Sequence, residues 1–269
     1  MEKKIKYLVL PDSHGRTFWK EPVKQVLDET DAHIVFLGDY LDPYPYEFEP
    51  GENYRRIALD LFKEILQLKR DNPQRITLLL GNHDCTYTIG TDICDCRRDR
   101  ANYQEIVKLF EENREIFQIA EETTVNGKHF IFSHAGILKG WARQVFGDDI
   151  DNEDFNIVDS LNDAWLTSNY GVLNALGDYD SWRGWGGYQY GSPIWSDIRS
   201  WCDVKAEDTF GFNVVGHTQL EDTPVMFDQI VDLDLRRAFY IDDEGVIRKY
   251  SDDSEVKPSI KNKNEEEEK

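Results

Sequence analysis

The chain has 269 residues, of which 40% are hydrophobic and 13% aromatic, so it is long enough for one large domain with insertions or for two small ones, with a substantial core. Its formal net charge of −21 disfavours free nucleic acid and anionic membrane surfaces as partners, because both would repel it. Small phosphorylated substrates and phosphoproteins remain compatible with this charge, because bound divalent cations would supply local positive charge.

No segment has the pattern of an export signal or a membrane anchor. The apolar run after the charged N-terminus ends at Leu10, too soon for a signal peptide, and no stretch approaches the ~20 apolar residues of a membrane span. The four cysteines are therefore expected to be reduced thiols in the cytoplasm. Cys94 and Cys96 lack the two-residue spacer of a zinc knuckle, so cysteine-bound zinc is not predicted.

The N-terminal part of the chain alternates between predicted strands and helices. Apolar runs predict strands at 6–10, 33–37 and 76–80, and a helical period predicts helices at 18–27 and 54–68 between them. This order is typical of βαβ units and a largely parallel sheet, and so of the α/β class. In such sheets ligands bind beyond the carboxyl ends of the strands.

The middle of the chain begins with a predicted helix at 103–117. Residues 123–132 predict a hairpin around Asn126-Gly127, a pair that suits a tight turn. Residues 138–211 have no strand pattern, are helix-like at 157–176, and are predicted to form a cap or specificity insertion.

The C-terminal part contains several short β-rich runs between 225 and 250, which predict a second, antiparallel-rich sheet. We therefore expect one domain over residues 1–250. The acidic, polar segment 251–269 is predicted to be a disordered tail.

Five short motifs occur in a fixed order, and each follows a predicted strand. Each contributes an oxygen or imidazole ligand, so together they predict two metal ions a few ångströms apart. Such ions polarise a phosphate ester and make hydroxide at neutral pH. The motifs are Asp12-Ser13-His14-Gly15, Gly38-Asp39-Tyr40-Leu41-Asp42, Gly81-Asn82-His83-Asp84, Ser133-His134-Ala135-Gly136 and Gly216-His217-Thr218.

The residue types within these motifs indicate different tasks. Asp12 and His14 can converge on one ion, and the two oxygens of Asp39 can bridge two ions. The neutral carbonyl of Asn82 suits a hard cation without adding charge. His83 follows Asn82 directly and points to the other side of the strand end, where it can protonate a leaving-group oxygen.

The ordered motifs resemble those of the calcineurin-like metallophosphoesterase superfamily, D-x-H, G-D-x-x-D, G-N-H-D/E, a strand-end His and G-H-x-H, over residues 12–219. The resemblance implies an α/β fold, a two-sheet αββα sandwich with a dinuclear metal site at the strand ends. It implies Asp39 as the bridging ligand and His83, held by Asp42, as the catalytic general acid. The remaining ligands it implies are Asp12 and His14 on the first ion and Asn82, His134 and His217 on the second.

Two positions depart from the family pattern. Gln219 stands where the second histidine of G-H-x-H is expected, as in the serine/threonine protein phosphatases and diadenosine tetraphosphatases, and it could offer a carbonyl oxygen to a metal. Pro43-Tyr44 stands where those branches have Arg-Gly, whose arginine binds phosphate. Another cation must therefore bind phosphate, and the candidates are Arg16, Arg183 and Arg199.

The predicted function is that of a metal-dependent phosphohydrolase. A hydroxide activated by two metals attacks a phosphomonoester or phosphoanhydride, and the predicted substrate is a phosphoprotein, a small phosphomonoester or a dinucleoside polyphosphate. Two alternatives remain, a phosphodiesterase or nuclease of the same superfamily and a non-catalytic metal-binding scaffold. The ligands accept Mn²⁺, Fe²⁺ or Fe³⁺, Zn²⁺ or Ni²⁺. An aromatic group could stack on a base or form a packed core: Trp182, Trp185, Tyr188, Tyr190 and Trp195.

Overall fold

The computed structural model describes residues 4–184 and 187–259, which form two β-sheets flanked by helices. The strands are β1 (Ile5–Leu10), β2 (His33–Phe36), β3 (Ile76–Leu79), β4 (Phe117–Gln118), β5 (Ala120–Val125), β6 (Lys128–Ser133), β7 (Phe212–Val215), β8 (Val225–Phe227), β9 (Ile230–Asp232), β10 (Phe239–Asp242) and β11 (Ile247–Lys249). The α-helices are α1 (Lys20–Glu29), α2 (Tyr54–Asp71), α3 (Asn82–Thr88), α4 (Tyr103–Glu112), α5 (Lys139–Phe146), α6 (Ile157–Leu166) and α7 (Tyr170–Ala175).

The first sheet has the strand order β11-β10-β1-β2-β3-β4. Strands β1 to β4 are parallel to their neighbours, whereas β10 pairs with β1 and with β11 in antiparallel register. Because β1, β2 and β3 are parallel, their carboxyl ends meet at one edge of the sheet. The residues that follow these strands are therefore brought together.

The second sheet has the order β5-β6-β7-β9-β8. Its inner strands β6, β7 and β9 are parallel, and the outer pairs β5–β6 and β8–β9 are antiparallel. The predicted hairpin is present, and positive φ angles at Asn126 (49°) and Gly127 (77°) suit a tight two-residue turn between β5 and β6.

An apolar layer joins the two sheets face to face. Val9 and Leu79 of the first sheet pack in one cluster with Phe132, Val214 and Val231 of the second. Alternate residues of the first sheet point the other way and are covered by α1, α2 and α4, since strand side chains alternate between faces. The predicted αββα sandwich of the α/β class is therefore confirmed.

Several predicted elements have different limits in the structure. The helix expected at 103–117 ends at Glu112, because residues from Phe117 onward pair with β3 as β4. The helical segment 157–176 is broken at Ser168, whose φ is 57°, and Asn169 then caps α7 by accepting the amide of Val172.

The C-terminal strands were predicted to share a second sheet, and this is wrong for half of them. Strands β8 and β9 do join the second sheet, but β10 and β11 extend the first. The reason is the open edge of β1, where β10 pairs and is buried at all four of its positions. Part of the predicted tail contacts the body of the protein: Val256 is buried, and Ser259 N–H bonds to the carbonyl of Met226. The rest, residues 260–269, lies outside the described residues.

No β-strand lies within the described part of residues 138–211. Their helices α5, α6 and α7 contribute Trp141, Leu161 and Trp165 to the same cluster as the helix-covered face of the first sheet. This segment therefore packs as part of the main core. Among the described residues, no helix is both long enough and apolar enough to cross a membrane.

Candidate metal centre

The loops that follow β1, β2, β3, β6 and β7 converge at one end of the sandwich. Residues that follow β1, β2, β3 and β7 line a cavity of about 340 Å³. The six predicted metal ligands, the predicted acid and the residue predicted to hold it all line this cavity or contact a residue that does. They are Asp12, His14, Asp39, Asp42, Asn82, His83, His134 and His217.

Backbone conformation marks this end of the molecule as unusual. Eight non-glycine residues in the described chain have a positive φ, and four of them are predicted site residues: His14, Asp39, Asp42 and His217. Each such residue costs on the order of 1–3 kcal/mol and persists only where surrounding contacts hold it. The concentration of strain in four of the predicted residues is typical of a functional site.

Two motif glycines are required by close packing against carboxylates. A Cβ atom on Gly81 would collide with the Asp39 carboxylate, and one on Gly216 would collide with that of Asp12. Glycine at these two positions therefore lets the backbone of one motif lie directly against the carboxylate of another.

The carboxylates of Asp12 and Asp39 make the same two kinds of contact. One oxygen of each accepts a backbone N–H from a later motif, His217 N–H to Asp12 Oδ1 at 3.0 Å and His83 N–H to Asp39 Oδ1 at 2.9 Å. The other oxygen faces imidazoles. Asp39 Oδ2 lies 3.5 Å from both His14 Nε2 and His134 Nε2, and Asp12 Oδ2 lies 4.0 Å from His14 Nε2.

Backbone carbonyls fix the orientation of two imidazoles. His14 Nδ1 lies 2.6 Å from the carbonyl of Leu41, and His134 Nδ1 lies 2.9 Å from that of Leu37. A carbonyl oxygen only accepts, so each Nδ1 carries the proton and each Nε2 presents a lone pair to the carboxylates. Such bonds set the tautomer that metal-binding histidines require.

The second group of donors meets at His134. Its Nε2 lies 2.9 Å from Asn82 Oδ1 and 3.1 Å from His217 Nδ1. The remaining nitrogen of His217 is buried without a hydrogen-bond partner among the described residues. The Nε2 lone pair of His134, the side-chain carbonyl oxygen of Asn82 and the imidazole of His217 therefore lie close enough together to bind one cation. The donor set fits a divalent metal ion.

Burial tunes the charge of these groups. It lowers the pKa of His14 and of His217 well below the usual value, so both imidazoles stay neutral and able to bind metal. Burial also raises the pKa of the Asp39 carboxyl well above its usual range, and the neighbouring Asp12 adds to this rise. The centre is thus short of positive charge, and a divalent cation would supply it.

His83 belongs to a separate network behind the carboxylates. Its Nδ1 lies 2.9 Å from Asp42 Oδ2, and the other oxygen of Asp42 accepts both the Tyr87 hydroxyl at 2.5 Å and the Asp99 amide at 2.9 Å. Burial alone would lower the pKa of His83, but the Asp39 and Asp42 carboxylates outweigh it, and the pKa is raised. Asp42 therefore holds one ring nitrogen and leaves Nε2 for the cavity.

Asp84, the last residue of its motif, received no role from the sequence. Its buried carboxylate accepts three backbone amides: Asp39 at 2.7 Å, Tyr40 at 3.2 Å and Gly81 at 2.9 Å. Burial raises its pKa to about 7. Asp84 therefore ties the loop after β2 to the loop after β3.

The predicted phosphate-binding arginines lie in different surroundings. Arg183 lines the cavity, 2.8 Å from Asp197 and with a bond to Thr218 Oγ1 at 2.6 Å. The guanidinium of Arg16 is held by Glu47 through contacts of 2.8 and 2.9 Å, and that of Arg199 by Asp197 through contacts of 2.7 and 2.8 Å. Neither is among the described residues that line the cavity.

Gln219, the predicted substitute for the missing histidine, is exposed and lines the cavity. The aromatic group divides between surface and core. Trp195 lines the cavity with its ring edge-on to His217 at 5.6 Å, and Tyr190 packs against Gly140. Trp182 and Tyr188 are exposed, and Trp185 lies outside the described residues.

Sequence reasoning missed the contribution of segment 95–99. Asp95, Cys96 and Arg97 line the cavity, and the Asp99 amide bonds to Asp42. Cys96 Sγ accepts the Asn82 side-chain amide at 3.1 Å. The segment lacks any periodic pattern, so only the predicted position of Asp42 and Asn82 could have indicated what would lie beside it.

Comparison with known proteins identifies one family. The family model described as calcineurin-like phosphoesterase matches residues 5–220. No curated protein matches the chain. Among solved structures, a protein serine/threonine phosphatase from Saccharomyces cerevisiae with similarity to human phosphatase PP5 is 13% identical, over 97% of this chain and 82% of that one, with a TM-score of 0.47. A hypothetical protein from Pyrococcus horikoshii OT3 is 12% identical, over 48% of this chain and 54% of that one, with a TM-score of 0.31.

Proposed function

The chain belongs to the calcineurin-like phosphoesterase family, and we propose that it hydrolyses phosphomonoesters or phosphoanhydrides with the help of two divalent metal ions. The observation that carries the proposal is the convergence of two carboxylates, three imidazoles and one carboxamide at a cavity that a carboxylate-held histidine also lines. Phosphoproteins, small phosphomonoesters and dinucleoside polyphosphates are the candidate substrates.

The proposed ligands follow the two groups of donors. Asp12 and His14 would hold one ion and Asp39 would bridge to the other. The second ion would be held by Asn82, His134 and His217. When bound, such ions polarise a phosphoryl group and lower the pKa of water. Gln219 stays a possible further ligand, and Mn²⁺, Fe, Zn²⁺ and Ni²⁺ stay possible ions.

His83 is the proposed proton donor to the leaving oxygen. Asp42 holds its Nδ1, so Nε2 is the atom left to face the substrate. The Asp42 carboxylate that accepts from Nδ1 helps to raise the pKa of His83, and the protonated ring is the form that an acid catalyst needs. Asp42 acts through His83 and is a positioning residue.

The substrate class is tested with two related esters. Protein loaded with Mn²⁺ should hydrolyse p-nitrophenyl phosphate and leave bis(p-nitrophenyl) phosphate largely intact. Preferential turnover of the diester would favour a phosphodiesterase, and absence of turnover with Mn²⁺, Fe²⁺, Zn²⁺ and Ni²⁺ would favour a non-catalytic scaffold. Phosphopeptides and a dinucleoside polyphosphate then separate the remaining substrates.

Cys96→Ala is expected to weaken metal binding by about tenfold, in the range for partners of metal ligands. The Asn82 amide loses its acceptor at 3.1 Å and is freer to turn its carbonyl away from His134. Chelator competition measures the affinity. Cys96→Ser should restore much of it, and Cys202→Ala, at an exposed cysteine, is the control. Equal affinity of Cys96→Ala and the wild type would contradict this role.

A further inference from the structure

Segment 95–99 forms one wall of the cavity and is fastened to the metal and acid residues. Cys96 contacts Asn82, the backbone carbonyl of Arg97 lies 3.1 Å from His83 Nδ1, and the Asp99 amide bonds to Asp42 at 2.9 Å. These bonds set the position of the backbone on both sides of Arg97. The side chain between them therefore starts from a backbone that is tied to the candidate centre.

The guanidinium of Arg97 is held by a carbonyl and an aromatic face. One of its terminal nitrogens donates to the backbone carbonyl of Asp42 at 2.5 Å, and its central carbon lies 3.9 Å from the centre of the Tyr44 ring. Tyr44 lies in turn against His14, with ring centroids 5.5 Å apart. Stacking fixes the plane of the guanidinium next to the proposed first ion and leaves its other N–H groups unused by these contacts.

Arg97 differs from Arg16 and Arg183 in that no carboxylate pairs with it among the described residues. Arg183 is paired with Asp197, and Arg16 is paired with Glu47. Arg97 makes no ion pair with a carboxylate among the described residues, and it lines the cavity. Its direct partners are a carbonyl oxygen and an aromatic ring, so its guanidinium lines the cavity without a carboxylate bonded to it among the described residues. An anion is the ligand that this arrangement fits.

We propose that Arg97 binds the transferred phosphoryl group of the substrate and favours monoesters and terminal phosphates over diesters. This inference rests on the proposed function and names the residue that contacts phosphate in the same site. Guanidinium groups bind phosphate oxygens through parallel N–H bonds. A monoester presents three non-bridging oxygens and more negative charge than a diester, so an extra anion-binding group gains more from the monoester.

The proposed acid and the proposed phosphate group share one anchor. The side chain of Asp42 holds His83 Nδ1, and its main-chain carbonyl holds Arg97. Asp42 has a positive φ of 59°. In this conformation its main-chain carbonyl contacts Arg97 while its carboxylate contacts His83. A single strained residue thus sets the relative position of the group that binds phosphate and the group that protonates the leaving oxygen.

The test compares Arg97→Ala and Arg97→Lys with Arg100→Ala, which removes the same charge from an exposed residue three positions on. Two measurements are made on Mn²⁺-loaded protein: calorimetric binding of inorganic phosphate, and kcat/KM for a phosphomonoester and its diester. Arg97→Ala should bind phosphate about tenfold more weakly and lose about 100-fold in kcat/KM for the monoester, with a smaller loss for the diester. Arg97→Lys should recover part of both.

Phosphate binding does not require turnover, so the two proposals fail separately. A wild-type protein that binds phosphate through Arg97 but hydrolyses neither ester would overturn the proposed function alone. If Arg97→Ala matches Arg100→Ala in phosphate affinity while metal content and melting temperature are unchanged, the assignment of Arg97 is wrong. An equal loss for both esters would overturn the proposed preference for monoesters.

Discussion

Asp39→Asn should abolish metal-dependent turnover and reduce the affinity for at least one ion by 100-fold or more. Asp39 Oδ2 lies 3.5 Å from His14 Nε2 and from His134 Nε2, so this oxygen contacts an imidazole of each group of donors. An amide at this position removes the shared negative charge and turns either a carbonyl or an NH₂ group toward two nitrogen lone pairs. Neither can bridge two cations as a carboxylate does.

Metal analysis and thermal unfolding measure the effect of Asp39→Asn. Wild-type protein should melt at a higher temperature with Mn²⁺ than with chelator, because the ion binds the folded state only. A 100-fold loss of affinity removes about 2.7 kcal/mol of that stabilisation at saturating metal, so the variant should show little metal-dependent shift. Asp148→Asn, which changes a fully exposed carboxylate, is the control. A variant that retains two ions per chain would show that Asp39 does not bridge.

The sequence predicted the fold well where structure is set by short-range pattern. The βαβ units up to β3 have a regular alternation of apolar strands and amphipathic helices, and parallel pairing follows from their order. The sheet to which β10 and β11 belong could not be read in this way. Their short apolar runs resemble those of β8 and β9, and only the free edge of β1 decides which pairing forms.

In the candidate site, too, short-range pattern predicted some residues, whereas others depend on tertiary contacts. The motif residues converge because each follows a strand of a known direction, so the sequence indicated most of the donors. Segment 95–99 has no period or capping pattern. Its place depends on Asp42 and Asn82, which lie more than ten residues away in sequence. The sequence analysis therefore offered Arg16, Arg183 and Arg199 as phosphate-binding candidates and did not consider Arg97.

His83→Ala should retain both ions and lose about 10²–10⁴-fold in turnover of esters with poor leaving groups, the range for a general acid. The loss should be much smaller for p-nitrophenyl phosphate, because p-nitrophenolate leaves readily without a proton. Phenyl phosphate and an alkyl phosphate complete the series. His129→Ala is the matched control, since His129 bonds to Glu122 on the β5–β6 hairpin.

Metal content decides between two roles for His83. Its ring lies near enough to His14 and Asp39 for the three to form a possible ligand group, with donor atoms within 4.8 Å of one another. A ligand would lose metal together with activity, and would lose activity equally for every leaving group. An acid would keep the metal and show a loss that grows as the leaving group becomes a poorer anion.

Asp42→Asn extends the same test to the positioning residue. The side-chain nitrogen of an asparagine cannot accept the His83 Nδ1–H. Its side-chain oxygen would already accept hydrogen bonds from the Tyr87 hydroxyl and the Asp99 amide. The ring of His83 is then free to rotate or to change tautomer, so turnover should fall with the same dependence on leaving group. In a His83→Ala background Asp42→Asn should cost little more, because the two residues act as one unit. Additive losses would mean that the Asp42 side chain contributes to turnover by a route that does not pass through His83.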